Sequence, residues 1–124
     1  MQDTQTMFWK KFLGAFGEDT AVKFLIKQGY MILERNYKCR FGEIDIIAMD
    51  KSILVFVEVK TIATDKTETP GDTVNARKQN HIRNAAEFYL SSGKQKDFNC
   101  RFDVVAIKYI EGANPKVELI KDAF

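Results

Sequence analysis

Four residues of this chain have types and spacing that could do chemistry together: Asp45, Glu58, Lys60 and Glu18. The run 53–60, Ile-Leu-Val-Phe-Val-Glu-Val-Lys, reads as a strand, in which alternate side chains face opposite sides. Ile53, Val55, Val57 and Val59 then share one face, and Leu54, Phe56, Glu58 and Lys60 the other. Both faces begin apolar, as expected of a central strand covered on both sides. One face turns from Phe56 to an acid and a base about 7 Å apart along the strand, which suggests a cleft at that end. Taken alone, an acid and a lysine two apart are more simply a solvent-exposed salt bridge. The preceding run 42–47 adds Glu43, Asp45 and Ile47 on one face, with Ile44 and Ile46 on the other. A hairpin at Asp50-Lys51-Ser52 that pairs Asp50 with Lys51, or Met49 with Ser52, places Asp45 opposite Phe56. Asp45 is then diagonal to Glu58 and roughly 7–8 Å from it. A slip of one residue would send the two carboxylates to opposite faces.

Two helical segments can add to this cluster. Glu18 lies three, four and seven positions before Ala21, Val22 and Leu25, on their stripe. It is equally readable as a first-turn acid stabilising a helix that starts near Gly17. Lys78 shares the stripe of Val74, Ile82, Ala85 and Tyr89, where snorkelling from a buried stem is the ordinary role for a lysine. The same segment carries Arg77, Gln79, Asn80, His81, Arg83 and Asn84, a polar and cationic patch beside the expected cleft. Asp45, Glu58 and Glu18 together make an oxygen-only set, suited to Mg2+ or Mn2+ rather than zinc or copper. A hard cation so held activates water and polarises a phosphoryl oxygen, and Lys60 is placed to act on that water or on developing charge. The implied chemistry is phosphodiester hydrolysis.

These residues must be positioned by a small set of elements. A helix is expected over 4–28, closed by Gly29, with Gly14 and Gly17 leaving open whether it is one helix or two. Strands follow over 30–37, 42–49 and 53–60, then a polar loop over 61–69 that borders the site. A second helix is expected over 73–90, capped by Asp72 or Thr73 and ended by Ser91-Ser92-Gly93. Strands over 101–109 and 116–120 complete an α-β-β-β-α-β-β order, an α/β sheet with helices packed on it.

The 124 residues allow one domain, 1–124, with residues 1–13 as an N-terminal extension. Phe8, Trp9, Phe12 and Phe16 form an N-terminal aromatic cluster, which either packs on its own core or docks a partner. A single His nearly excludes a zinc site of the usual kind, and makes His81 a surface or phosphate-contacting residue. Cys39 and Cys100 are too few for a disulfide framework and read as reduced thiols of a cytoplasmic protein. No apolar run approaches the ~20 residues of a membrane span, and the first residues lack a secretory signal. The charges, 19 Lys and Arg against 17 Asp and Glu, nearly cancel. Their partition says more than their sum: acids gather at one hairpin end and cations on the second helix and nearby loops.

Asp45 followed thirteen positions later by Glu58-Val59-Lys60, in a hairpin between two helices, resembles the PD-(D/E)XK core of restriction-endonuclease-like nucleases. Ile44 stands where the motif's proline would be. An ordered set extends the likeness. It runs through Gly17-Glu18, Gly29-Tyr30, Arg35-Asn36, Gly42-Glu43-Ile44-Asp45, Val57-Glu58-Val59-Lys60, Lys78 and Arg101-Phe102-Asp103-Val104-Val105. This set resembles the YraN-like bacterial family over about residues 14–110. The resemblance implies a restriction-endonuclease-like fold with a central mixed sheet flanked by helices, similar in layout to archaeal Holliday-junction resolvases. It implies Glu18, Asp45 and Glu58 as ligands of Mg2+ or Mn2+, and Lys60 as base or charge stabiliser. Lys78 and Gln79 match the helix position that often completes such sites. By analogy of fold the activity is an endonuclease on DNA, with branched or flapped DNA and a role in repair or recombination expected. Arg77, Lys78, Gln79, His81, Arg83 and Arg40 are the expected nucleic-acid contacts. A non-cutting nucleic-acid-binding module and a protein-interaction module stay open, as does the choice between monomer and homodimer.

Overall fold

The computed structural model describes residues 4–62, 74–93, 98–110 and 112–124, with side chains from residue 14 onward. In chain order the elements are α1 (Thr4–Lys27), β1 (Met31–Cys39), β2 (Gly42–Asp50), β3 (Ile53–Ile62), α2 (Ala76–Ser91), β4 (Asn99–Lys108) and β5 (Lys116–Ile120). The α/β class and the element order are those expected. The five strands form one mixed sheet in the order β1-β2-β3-β4-β5, in which only β3 and β4 run parallel. A parallel neighbour needs a long crossover, and α2 lies in that connection. Among the described residues no helix is long and apolar enough to cross a membrane.

Strand β3 is central, and its two faces divide the core as its alternation predicts. Leu54 and Phe56 pack with Ile82, Ala85 and Ala86 of α2. Val55 and Val57 pack with Ala21 and Leu25 of α1. Each helix therefore covers one face of the sheet, and the charged end of β3 lies on the α2 side.

The first helix is continuous. Gly17 within it is buried, and a Cβ there would come 2.6 Å from Thr61 Cγ2, so glycine lets α1 approach the end of β3. Gly29 ends the helix as expected, at a φ of 94°, with the Tyr30 N–H reaching back to the Leu25 carbonyl. The second helix differs from expectation: it starts at Ala76, and Asn75 is its cap. The Asn75 side chain accepts from the Lys78 N–H at 2.9 Å, satisfying one of the donors that a helix start leaves unpaired. The expected caps, Asp72 and Thr73, lie outside the described residues, as does 63–69 of the expected loop. Thr61 and Ile62 belong to β3.

The β2–β3 hairpin also differs in register. Asp50 pairs with Ile53, Met49 with Leu54 and Ile46 with Val57, leaving Lys51-Ser52 as a two-residue turn. Lys51 takes the left-handed φ of 57° that such turns call for. The shift from the expected pairing is two residues, so facing is preserved. Continued past Ile46–Val57, this register puts Asp45 across from Glu58 rather than diagonal to it. Ile44 departs from the expected alternation. It packs in the α2 layer together with Ile47, while Ile46 faces α1. The facing breaks around Asp45, where the β2–β3 ladder ends and β2 is free to twist away.

Candidate active site

The end of the β2–β3 ladder exposes backbone groups that a longer ladder would have paired. One of them is met by a side chain: the Val59 N–H donates to Asp45 Oδ2 at 2.8 Å. This bond fixes the Asp45 carboxylate against the last turn of the ladder, directly beside Glu58. Glu58 is 4% exposed, and the Lys78 ammonium forms a close ion pair with its Oε1. Lys78 reaches it from the first turn of α2, whose start is set by the Asn75 cap.

Burial dominates the electrostatics. It pushes the Glu58 carboxyl up to about 7, and the neighbouring Asp45 charge adds to this, with Lys78 opposing. Asp45 is also raised, by burial first, against the Val59 N–H and Lys78. Burial disfavours the charge on Lys78, but Glu58 and then Asp45 outweigh it and hold that ammonium above its ordinary value. Two carboxyls close enough to hydrogen-bond, only partly neutralised by one lysine, make a site short of positive charge.

The other expected site residues are arranged around this pair. Glu18 of α1 lies within Coulombic range of Asp45 and has its pKa raised, by burial first and then by Asp45. Its Oε1 is buried without a hydrogen-bond partner and lies 3.8 Å from Arg35 Nη2, too long for a bond. Lys60 is half-buried, on the same β3 face as Glu58, and makes no ion pair among the described residues. Gln79 donates to the Val74 carbonyl at 2.8 Å, bracing the chain that leads into α2. Arg77 and His81 are exposed on α2. Arg83 and Arg40 lie farther off, each over a pair of aromatic rings: Phe102 and Phe124 for Arg83, Phe41 and Phe88 for Arg40. Asp45, Glu58 and Lys78 are thus brought into contact, Glu18 stands near them, and Arg40 and Arg83 are engaged elsewhere.

The chemistry of the donor set bears on a metal. Among the described residues no three His, Cys, Asp or Glu side chains are grouped to hold an ion. Magnesium commonly takes only one or two carboxylates and completes its shell with water and substrate phosphate, so Asp45 and Glu58 fit that demand. The orphaned Glu18 oxygen supplies a further acceptor nearby.

Asp103 lies on the opposite face of the sheet from Glu58, with a structural role. It is fully buried, and its oxygens accept from Arg101 Nε, the Tyr30 hydroxyl and the Asp122 N–H. Arg101 also bonds Asp50 at 2.8 Å, tying the β2–β3 turn to β4. It is therefore committed to this network rather than offered to a ligand. The contribution of the Val59 N–H and the Lys78–Glu58 pair had no direct signal in sequence. Lys78 was findable through its place on the apolar stripe of α2 and through the family resemblance, which marks Lys78 and Gln79.

Fold and site together define a small α/β domain with paired carboxylates at the end of its central strand. The chain belongs to the uncharacterised protein family UPF0102, whose pattern matches residues 17–107; this is the YraN-like family of the sequence reading. It is 50% identical to a UPF0102 protein of Caldicellulosiruptor bescii, over 92% of this chain and 98% of that one. A UPF0102 protein of Syntrophus aciditrophicus is 48% identical over 90% and 87% of the two chains, and one of Clostridium perfringens 43% identical over 94% and 96%.

Proposed function

We propose that this chain is a Mg2+- or Mn2+-dependent endonuclease that hydrolyses phosphodiester bonds in branched or flapped DNA, in repair or recombination. The observation that carries the reading is the contact between Asp45 and Glu58 at the end of the central strand, with Lys60 two positions on and on the same face. Asp45 and Glu58 would hold the cation, which supplies water activation and charge neutralisation at the phosphate. Lys60, lacking an ion-pair partner among the described residues, stabilises charge developing on the scissile phosphate or holds the attacking water. The Val59 N–H keeps Asp45 from rotating away. The unmatched Glu18 oxygen accepts a hydrogen bond from water at the rim of the site. Arg77 and His81, both exposed on α2, offer a cation and a hydrogen-bonding imidazole to the backbone of the nucleic acid. The free thiols Cys39 and Cys100 fit a reducing, cytoplasmic setting.

One observation favours a second reading, a nucleic-acid-binding module that does not cut. The Lys78 ammonium already sits on Glu58 and partly neutralises the site. The two readings separate in a titration of purified protein with Mg2+ and then Mn2+ on flapped, branched and linear duplexes. Cleavage that is lost on chelation and in Lys60→Ala supports the nuclease. Salt-sensitive binding with no product in either metal supports the module.

A further inference from the structure

At the far end of α2 from Lys78, the helix and the β1–β2 turn border an open, solvent-facing cavity of about 440 Å3, lined by Arg40, Phe41, Asn84, Glu87, Phe88 and Ser91. Phe41 and Phe88 are 38% and 39% exposed, with ring centroids 5.7 Å apart and planes inclined by 57°. Two large rings left side by side in solvent forgo the stabilisation that burial would give them. The Arg40 guanidinium lies 4.9 Å from the Phe41 centroid and 5.9 Å from that of Phe88, and makes no ion pair among the described residues. The turn is seated firmly on the helix. At Gly42, φ 151°, a Cβ would meet His81 Cβ at 3.3 Å and the His81 carbonyl oxygen at 3.4 Å. Glycine is what lets the turn approach α2 closely enough to wall the cavity.

We propose that this cavity receives one unpaired nucleobase from a DNA strand whose backbone continues past Asp45 and Glu58. The inference rests on the nuclease reading and deepens it, by making a single-stranded segment part of the substrate. A base stacks on an exposed phenyl face whatever its sequence, and a guanidinium plate over the same rings presents its N–H edge to a phosphate. The volume is in the range of small-ligand sites and suits one base rather than a folded surface. Asn84, Glu87, Phe88 and Ser91 recur at the spacing of one helical stripe, and the same spacing carried back reaches His81 and Arg77. A polar stripe of exposed side chains, with Arg77 as its cation, thus joins the cavity to the Lys78 end of α2. Ten residues of helix separate Lys78 from Phe88, about 15 Å, or roughly four nucleotides at the ~3.4 Å spacing of a stacked strand. The Ser91 hydroxyl is committed to the Phe88 carbonyl, leaving the Asn84 amide and the Glu87 carboxylate to meet the edge of the base. A carboxylate accepts from exocyclic amines, so adenine, cytosine or guanine fits better than thymine.

The test is fluorescence anisotropy in chelator with three duplexes: blunt, carrying a six-nucleotide dC tail, and carrying a dT tail. The dC-tailed duplex is expected to bind tightest. Phe88→Ala should weaken the tailed duplex by about 5- to 100-fold while leaving the blunt one unchanged. Glu87→Gln should remove the preference for dC over dT. Thermal melts establish that Phe88→Ala, Glu87→Gln and Arg40→Ala fold. Equal binding of tailed and blunt duplexes, or full tail preference in both Phe88→Ala and Arg40→Ala, overturns the proposal. Cleavage in Mn2+ is scored separately on the same DNAs. Cutting without tail preference would sink the base pocket and spare the nuclease. Tail preference lost in Phe88→Ala, with no cutting by the wild type, would do the reverse.

Discussion

Asp103 is fully buried, yet its oxygens accept from Arg101, Tyr30 and the backbone of Asp122. Asp45 and Glu58, by contrast, share one lysine and one backbone N–H. The first arrangement satisfies a buried acid in place, and the second leaves two crowded carboxyls whose pKa values are both raised. Removing Asp103 should therefore act on stability. Asp103→Ala leaves the Arg101 Nε–H and the Tyr30 hydroxyl without their acceptor, with Asp50 as the remaining carboxylate on Arg101, and should cost about 3 kcal/mol in chemical denaturation. Asp50 gives a pH signature to the same network. Its hydrogen bond to Arg101 holds its carboxyl below the ordinary 3.8, despite some opposing burial. An acid with a lowered folded-state pKa contributes its stability above the unfolded value and loses it as pH falls through the folded one. Asp50→Asn should thus lower stability at pH 7 and flatten the loss of stability on acidification below about pH 4. An unchanged acid limb in denaturant midpoints measured from pH 2 to 7 would contradict this. The network was only half legible in sequence: Arg101 and Asp103 stand two apart in one strand, but Tyr30 and Asp50 join them from other elements.

Among the elements, α1 and α2 set the geometry by how closely they approach the sheet. A methyl at Gly17 would overlap the Thr61 methyl at the end of β3, with the Tyr109 hydroxyl 3.5 Å away. Gly17→Ala should destabilise the domain by about 1–3 kcal/mol, and Thr61→Ser in the same chain should recover most of that by removing the opposing methyl. Thermal unfolding of the three variants decides it, and absence of rescue would place the strain elsewhere. Asn75→Ala should cost about 1 kcal/mol through the lost cap. The strands were legible because alternation is a strong signal: the division of β3 into two apolar faces held residue for residue from Leu54 to Val57. Register was less so, since hairpins of different loop length keep the same facing when they differ by two residues. The start of α2 was misplaced because Asp72, Thr73 and Asn75 are all good cap residues, and composition cannot choose among them.

For the whole molecule, the sheet order brings acids from β2 and β3 and a lysine from α2 to one end of the domain, while Arg101 and Asp103 brace the other face. Sequence indicated the Asp45 and Glu58 pairing through alternation, hairpin register and the nuclease-like motif, and the observed register puts them across from one another rather than on the diagonal expected. Glu18 was legible as a member of a helical stripe and through the family resemblance, and how far it reaches toward the pair depends on the close seat of α1 at Gly17. Near-neutral net charge concealed this partition. Metal-dependent cutting at Asp45 and Glu58 is tested most directly by single-turnover cleavage of a flapped duplex by wild type, Asp45→Asn and Lys60→Ala in Mn2+, with fold checked by circular dichroism. The expected result is cutting by the wild type that chelator abolishes, and rates lower by at least about 100-fold in both variants. Variants that cut at the wild-type rate, or a wild type that binds the duplex and never cuts it, would contradict the account.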